Sequence, residues 1–327
     1  MIDSPRTLRL RTVAEPTAAA GEALVQVGAA GICGSDVHGY SGTNARRPPG
    51  TVMGHEAAGH VIAVGEGVDD ALVGRLVAIN PVVSCGACPR CLRGTPNICD
   101  HRRLYGCTPT LPGAFADQVA IRAQNLVPLP DDVALDRAAL VEPLAVGARA
   151  AALSGAGAGD RALVIGGGPI GIAAALGAQR AGADVLVSEP DADRRTLLAA
   201  LGLTACAPED ATGEADAAID CVGFEATIAT AVRATPPGGR IVWVGLAHER
   251  VPVDAVALVM GERHLVGSAV YTPEDFAATA AWVATTTVPL ELLVQRRTTL
   301  AELPEVFAGY SDGRITAVKT LVDLDGA

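Results

Sequence analysis

Ala162-Leu163-Val164-Ile165-Gly166-Gly167-Gly168-Pro169-Ile170-Gly171 reads as a buried strand running into a glycine turn and then into a helix. Four apolar residues in a row suit a strand covered on both faces, and a helical pattern follows from Ile170 to Ala181. The next apolar run, Val185 to Ser188, ends at Glu189, the place in a βαβ unit where the fingerprint sets its acid. This context separates a dinucleotide fingerprint from a chance cluster of glycines. The glycines let a pyrophosphate approach the backbone, and the helix N-terminus supplies N–H donors. The acid closing the second strand accepts from the ribose hydroxyls. A carboxylate there also repels a 2′-phosphate, so Glu189 predicts NAD rather than NADP. Arg194 and Arg195, close behind, are the counter-signal for phosphate.

Outward from that turn, strands and helices alternate. Helix Asp191 to Leu201, strand Ala217 to Asp220, strand Ile241 to Val244 and strand Leu265 to Val270 extend the pattern. Such alternation predicts an α/β fold with a doubly wound parallel sheet. The part of the chain before Val141 differs, being rich in Gly and Pro with short β-type runs at Glu22 to Val27, His60 to Val64 and Leu76 to Ile79. That texture predicts an irregular antiparallel barrel. It changes after Glu142-Pro143, and mixed character returns from Thr272, ending in a strand at Val318 to Val322. The expected division is residues 1–144 with 272–327 as one domain and 145–271 as the dinucleotide domain.

At 327 residues two domains are the better expectation. A net charge of −11 argues against nucleic acid or an anionic membrane surface as partner. No apolar run is long enough to span a bilayer, and Met1 to Leu10 lacks the hydrophobic stretch of a signal peptide, which predicts a cytoplasmic protein. In a reducing compartment the eight cysteines read as metal ligands and buried thiols. Lys319 is the only lysine among 25 basic residues, which reads as codon bias.

Cys85, Cys88, Cys91 and Cys99 form a Cys-x2-Cys-x2-Cys-x7-Cys run. Four thiolates close a tetrahedral zinc shell with no open position, so the loop of residues 85–99 predicts a structural zinc, with an iron–sulfur cluster as the alternative. Cys107, Cys206 and Cys221 stand outside the run and read as ordinary small residues. Cys33 and His55, by contrast, cannot close a shell between them, and any zinc they hold keeps room for a substrate. Taken singly, Cys33 reads more often as a buried thiol and His55 as a satisfied core histidine.

The strings Gly31-Ile32-Cys33-Gly34-Ser35-Asp36-Val37-His38 and Gly54-His55-Glu56-Ala57-Ala58-Gly59 resemble the zinc-containing alcohol dehydrogenases of the medium-chain dehydrogenase/reductase superfamily. The cysteine loop, the glycine turn and the Gly245-Leu246 strand end join the resemblance, which covers nearly the whole chain. It implies a GroES-like β-barrel catalytic domain with a Rossmann domain. By position it makes Cys33 and His55 ligands of a catalytic zinc and Asp36 the carboxylate that orients His55. Ser35 becomes the hydroxyl beside the reacting oxygen, and His38 the outer end of a proton relay. Gly166, Gly168, Pro169, Ile170, Gly171, Glu189, Arg194, Gly245 and Leu246 become the coenzyme contacts. Val141-Glu142-Pro143-Leu144 and Tyr271-Thr272-Pro273-Glu274 resemble the polyol and butanediol branch, where a Glu replaces a cysteine ligand. Glu56 and Glu142 are both candidates for that place.

The resemblance thus implies a zinc- and NAD-dependent oxidation of a secondary alcohol in a diol, polyol or cyclitol, with two zinc ions per subunit. It also implies a homodimer or homotetramer. The chain is 3% aromatic, so a pocket lined by many rings is not expected, although Tyr40, Tyr105 and Tyr271 are candidates to reach the site. An amino-alcohol dehydrogenase is one alternative, and a non-catalytic nucleotide-binding or redox-sensing zinc protein is another. Relatives of this kind usually open with a strand before a segment like Leu8 to Pro16. It is nearly absent here, which predicts a trimmed first domain or a start lying upstream.

Overall fold

The computed structural model describes residues 1–43 and 47–324. The chain forms two compact units. One comprises Met1–Glu142, Phe276–Thr286 and the segment from Leu293 onward; the other comprises Pro143–Asp275 and Thr287–Leu292.

In the first unit the strand Glu22–Gly31 is central. Glu56–Val64 pairs along one of its edges, while Gln118–Arg122 and Lys319–Asp323 share the other, the first at residues 22–26 and the second at residues 29–31. Leu76–Ile79 and Leu126–Pro128 continue the sheet beyond Glu56–Val64, and Val294–Thr298 pairs parallel with Lys319–Asp323. All other pairings in this sheet are antiparallel. Register shifts at Leu24/Val25 and Val27/Ala29 bend the central strand, because an extra residue on one side of a ladder raises the local twist. The sheet therefore curls, as the short Gly- and Pro-punctuated runs predict.

Its core gathers Val25, Val27, Val61, Val77, Ile79 and Val119 around Phe115 and Phe307. Phe307 is fully buried, meets Phe115 edge-on at 6.1 Å between ring centroids and contributes on the order of 1.5–3 kcal/mol through burial. Tyr40 packs against Phe307 at 5.6 Å, and Tyr105 is buried with its hydroxyl accepting from the Arg122 N–H. Tyr271, in the second unit, is 1% exposed. Tyr40 and Tyr105 belong to the core of the first unit, which corrects the expectation that they reach a substrate site.

The second unit holds a six-stranded, wholly parallel sheet. Its order is Thr204–Cys206, Asp184–Ser188, Arg161–Ile165, Ala217–Asp220, Arg240–Trp243, His264–Gly267. In chain order this is 3-2-1-4-5-6, the dinucleotide-binding arrangement. The direction of strand addition reverses between Arg161–Ile165 and Ala217–Asp220, and ligands bind at the carboxyl ends of strands at such a switch point. The glycine turn leaves the sheet at that place. The three-residue edge strand Thr204–Cys206 is too short to carry a period, whereas the helix Glu225–Ala234, not expected from sequence, has helical spacing with Ile228, Ala231 and Val232 buried.

Candidate metal centres and coenzyme turn

Cys33 lies two residues beyond the strand Glu22–Gly31 and is the N-cap of helix Gly34–Ser41, with extended backbone angles (φ −93°, ψ 149°). This sets its sulfur at the positive end of a short helix dipole. His55 and Glu56 stand where Glu56–Val64 begins, and Gly31 pairs with Glu56 across the sheet. Two adjacent strand segments thus bring Cys33, His55 and Glu56 together although the first lies far from the other two in the chain. Their ligand atoms all lie within 4.8 Å of one another, a spacing that one ion with bonds of about 2.0–2.3 Å can gather. Three donors leave a tetrahedral ion one position open. Glu142, in the first turn of helix Val141–Ser154, is buried but stands outside that group of three.

Polar groups back the trio on two sides. Asp36 is fully buried and its Oδ1 lies 3.3 Å from His55 Nδ1. The buried Arg47 guanidinium donates to the same oxygen from Nε at 2.8 Å. Burial opposes ionisation of Asp36, but His55 and Arg47 outweigh it and hold the carboxyl at about 2. Burial likewise opposes charge on His55, and the surrounding Asp36 and Cys33 still raise it well above the ordinary value. The surroundings therefore favour a positive charge at the imidazole edge, where a cation would sit. On the other side Lys319 Nζ lies 2.5 Å from Glu56 Oε2, both side chains 2% exposed, and donates also to the Ile32 carbonyl at 3.3 Å. Burial disfavours the ammonium, yet Glu56, Cys33 and Glu142 keep it charged.

Ser35 donates to Cys33 Sγ at 3.2 Å and accepts from Arg47 Nη2 at 2.9 Å. His38 is exposed near the other end of the same helix.

The four-cysteine loop is a separate centre. Its sulfurs lie 3.5 Å (Cys88–Cys91 and Cys85–Cys99), 3.8 Å (Cys88–Cys99) and 4.0 Å (Cys85–Cys91) apart. A tetrahedron with Zn–S bonds of about 2.3 Å has edges of about 3.8 Å, so these sulfurs already stand at the corners of a zinc tetrathiolate. Backbone N–H groups of Cys85, Cys88 and His101 donate to sulfurs of the loop. N–H donors from Cys91 and Asp100 lower the Cys88 thiol to about 6. Cys85 also borders a cavity of about 480 Å³ lined by Arg102, Arg103 and Arg122.

At the coenzyme turn Gly166 adopts φ +96°, in the left-handed region that favours glycine. A Cβ on Gly171 would lie 1.7 Å from the Gly166 carbonyl oxygen, so only glycine lets the helix return this close to the turn. A Cβ on Gly168, the N-cap of helix Pro169–Arg180, would meet nothing within 4 Å. The space beside the helix N-terminus is open to an anion's approach. Glu189 is 3% exposed and accepts from the N–H groups of Gly167 at 2.6 Å and Asp191 at 2.8 Å. Each oxygen retains a lone pair for a hydroxyl. Arg195 donates to the carbonyls of Glu189 and Pro190, and Arg194 stands 3.9 Å from Glu189. Gly245 packs backbone to backbone on Val222, and Leu246 is 78% exposed.

Three side chains that sequence reasoning passes over reach the open trio. Arg47 has no motif around it. Lys319 lies 263 residues from Glu56, and its one signal is being the single lysine of an arginine-rich chain. Cys107 lies within electrostatic reach of His55 and Arg47, and burial pushes its thiol up.

Residues 19–131 match the family described as alcohol dehydrogenase GroES-like domain, and residues 169–285 match the zinc-binding dehydrogenase family. The chain is 35% identical to the 2-dehydro-3-deoxy-L-galactonate 5-dehydrogenase of Pseudoalteromonas atlantica, over 93% of this chain and 92% of that one. It is 30% identical to the (R,R)-butanediol dehydrogenase of Neisseria gonorrhoeae over 97% and 96%. Among solved structures, a zinc-binding dehydrogenase from Sinorhizobium meliloti 1021 bound to NADP superposes with a TM-score of 0.91 at 30% identity, covering 98% and 97% of the two chains. A curled GroES-like sheet, a 3-2-1-4-5-6 parallel sheet and relatives matched along nearly their whole length lead to one assignment: this chain is an oxidoreductase belonging to the zinc-dependent medium-chain alcohol dehydrogenases, in their polyol dehydrogenase branch.

Proposed function

We propose that the chain oxidises one secondary alcohol of a small polyhydroxylated molecule (a diol, polyol, cyclitol or sugar acid) to the ketone, with NAD as hydride acceptor. The observation that carries this reading is the contrast between two donor sets in one unit. Four cysteines saturate one ion, while Cys33, His55 and Glu56 leave a position open beside the Ser35 hydroxyl. A zinc ion held by Cys33, His55 and Glu56 would supply Lewis acidity that eases loss of the alcohol proton, and NAD held at the glycine turn would supply the hydride acceptor. Ser35 is positioned to accept the alcohol proton, and exposed His38 is the candidate outer end of the relay that releases it to water. The carbinol thereby loses one hydride and one proton. Asp36 holds the His55 ring through Nδ1. Glu56 stays paired with Lys319 and is the third donor, with Glu142 the competing carboxylate. A neighbouring hydroxyl of the substrate is a natural partner for whichever carboxylate stays free.

NAD over NADP is supported by Glu189, a buried carboxylate at the second strand end, and by Arg195 being engaged on backbone carbonyls. The wild type is expected to favour NAD by about 100-fold or more in kcat/KM, and Glu189→Ala to narrow that ratio at least about tenfold. Steady-state kinetics with both coenzymes decides it, and an unchanged ratio would remove Glu189 from the argument.

A dimer joined along the open edge of the parallel sheet is supported by the outermost strand, His264–Gly267, and by the exposed Val256, Val259 and Met260. Light scattering on purified protein should give a dimer or tetramer mass; a monomer at micromolar concentration would refute this. Free cysteines suit the cytoplasm, and among the described residues no helix is long and apolar enough to cross a membrane.

The general test is an activity panel of diols, polyols, cyclitols, sugar acids, threonine and inosamines with NAD and NADP, run on protein whose zinc has been counted. Turnover of hydroxylated substrates by protein with two zinc ions supports the reading. Turnover confined to threonine or inosamines favours the amino-alcohol alternative. No turnover, with zinc held only by the cysteine loop, favours a non-catalytic protein.

A further inference from the structure

Arg47 is a buried cation with no place in the roles above, and the polar groups around it define a further one. It is 6% exposed, and helix Gly34–Ser41 is cut away to admit it: a Cβ on Gly39 would lie 2.4 Å from Arg47 Cδ. Its guanidinium forks. Nε donates to Asp36 Oδ1 at 2.8 Å, and Nη2 donates to Ser35 Oγ at 2.9 Å. A serine hydroxyl carries one proton. Because Ser35 accepts from Arg47, that proton must point elsewhere, and it points to Cys33 Sγ at 3.2 Å. The same Nη2 stands 3.4 Å from His55 Nδ1. An arginine nitrogen cannot accept, so of the two groups beside Nδ1 only Asp36 can take its proton. Nε2 is left as the ring atom that would face a metal ion.

Resting on the dehydrogenase reading above, we propose that Arg47 is a positioning residue that aims the Ser35 hydroxyl into the open Cys33–His55–Glu56 set, so that an alcohol arriving there meets a pre-oriented proton acceptor. A plain structural ion pair with Asp36 would need only charge. Aiming Ser35 needs the planar fork, which reaches a carboxylate and a hydroxyl at once; an ammonium is a single point charge and cannot hold both in that geometry.

Calorimetry with trifluoroethanol on zinc-loaded protein saturated with NAD separates the two, because this alcohol resists hydride loss and reports binding without turnover. Arg47→Lys and Arg47→Ala are each expected to weaken trifluoroethanol binding about 10–100-fold, the range for losing a charge-assisted hydrogen bond. Zinc should remain at two per subunit by elemental analysis. Ser35→Ala added to Arg47→Lys should weaken binding less than about twofold further, since the serine has already lost its aim. Wild-type affinity in Arg47→Lys would overturn the proposal, as would losses that multiply in the double variant. Zinc falling to one per subunit in Arg47→Lys would also overturn it, by making Arg47 a device for holding the ion. If Arg47→Ala fails to fold, the lysine variant alone carries the comparison. Wild-type protein that does not bind trifluoroethanol would instead bring down the dehydrogenase reading, and this inference with it.

Discussion

Cys33→Ala is expected to carry one zinc ion per subunit where the wild type carries two, and to lose dehydrogenase activity by at least about 10⁴-fold. The size follows from what the residue does. A Lewis acid contributes several kcal/mol of charge stabilisation to a reaction of this kind, and each step of about 1.4 kcal/mol is a factor of ten in rate. Two side chains, His55 and Glu56, would remain to hold the ion, and Glu56 is already committed to Lys319 at 2.5 Å. The cysteine loop lies apart from this set and keeps its own ion, so the variant should fold and melt much like its parent. Elemental analysis beside a kinetic assay checks both halves. Two zinc ions in Cys33→Ala would show that Cys33 is not needed to hold the second ion, whatever the activity.

Cys99→Ser should have the opposite profile: one zinc ion lost, a melting temperature lower by about 10 °C, and measurable turnover below that temperature. Cys99 is the buried member of the loop, 6% exposed, and two backbone N–H groups donate to its sulfur. The loop it closes has little structure besides the helix Pro89–Leu92 and a short turn at Pro96–Ile98, so the ion is its main cross-link. A loss of about 3–5 kcal/mol corresponds to about 10 °C for a unit of this size, where each kcal/mol shifts the midpoint by about 2–4 °C. Calorimetric scans with and without added zinc test it. An unchanged midpoint with one zinc ion would mean the loop holds its shape without metal.

The parallel sheet was legible because its signals are local. A strand, a glycine turn, a helix and the acid Glu189 closing the next strand are read within one βαβ unit, and the observed strand order follows the same rule. The cysteine loop was legible for the same reason, since x2 spacings put sulfurs on one turn. Thr204–Cys206 was not, because so short a strand carries no period. The tyrosines misled because ring chemistry says nothing of burial; Tyr40 and Tyr105 fill the barrel core.

By itself the amino-acid order determined the fold class, the coenzyme turn and the presence of two donor sets, one closed and one open. Each is encoded in residue type at short spacing. Only the tertiary structure decided what stands behind the open set: Arg47 forked between Asp36 and Ser35, and Lys319 on Glu56 across 263 positions. A buried charge must find its counter-charge wherever the fold brings one, and sequence separation carries no record of that pairing.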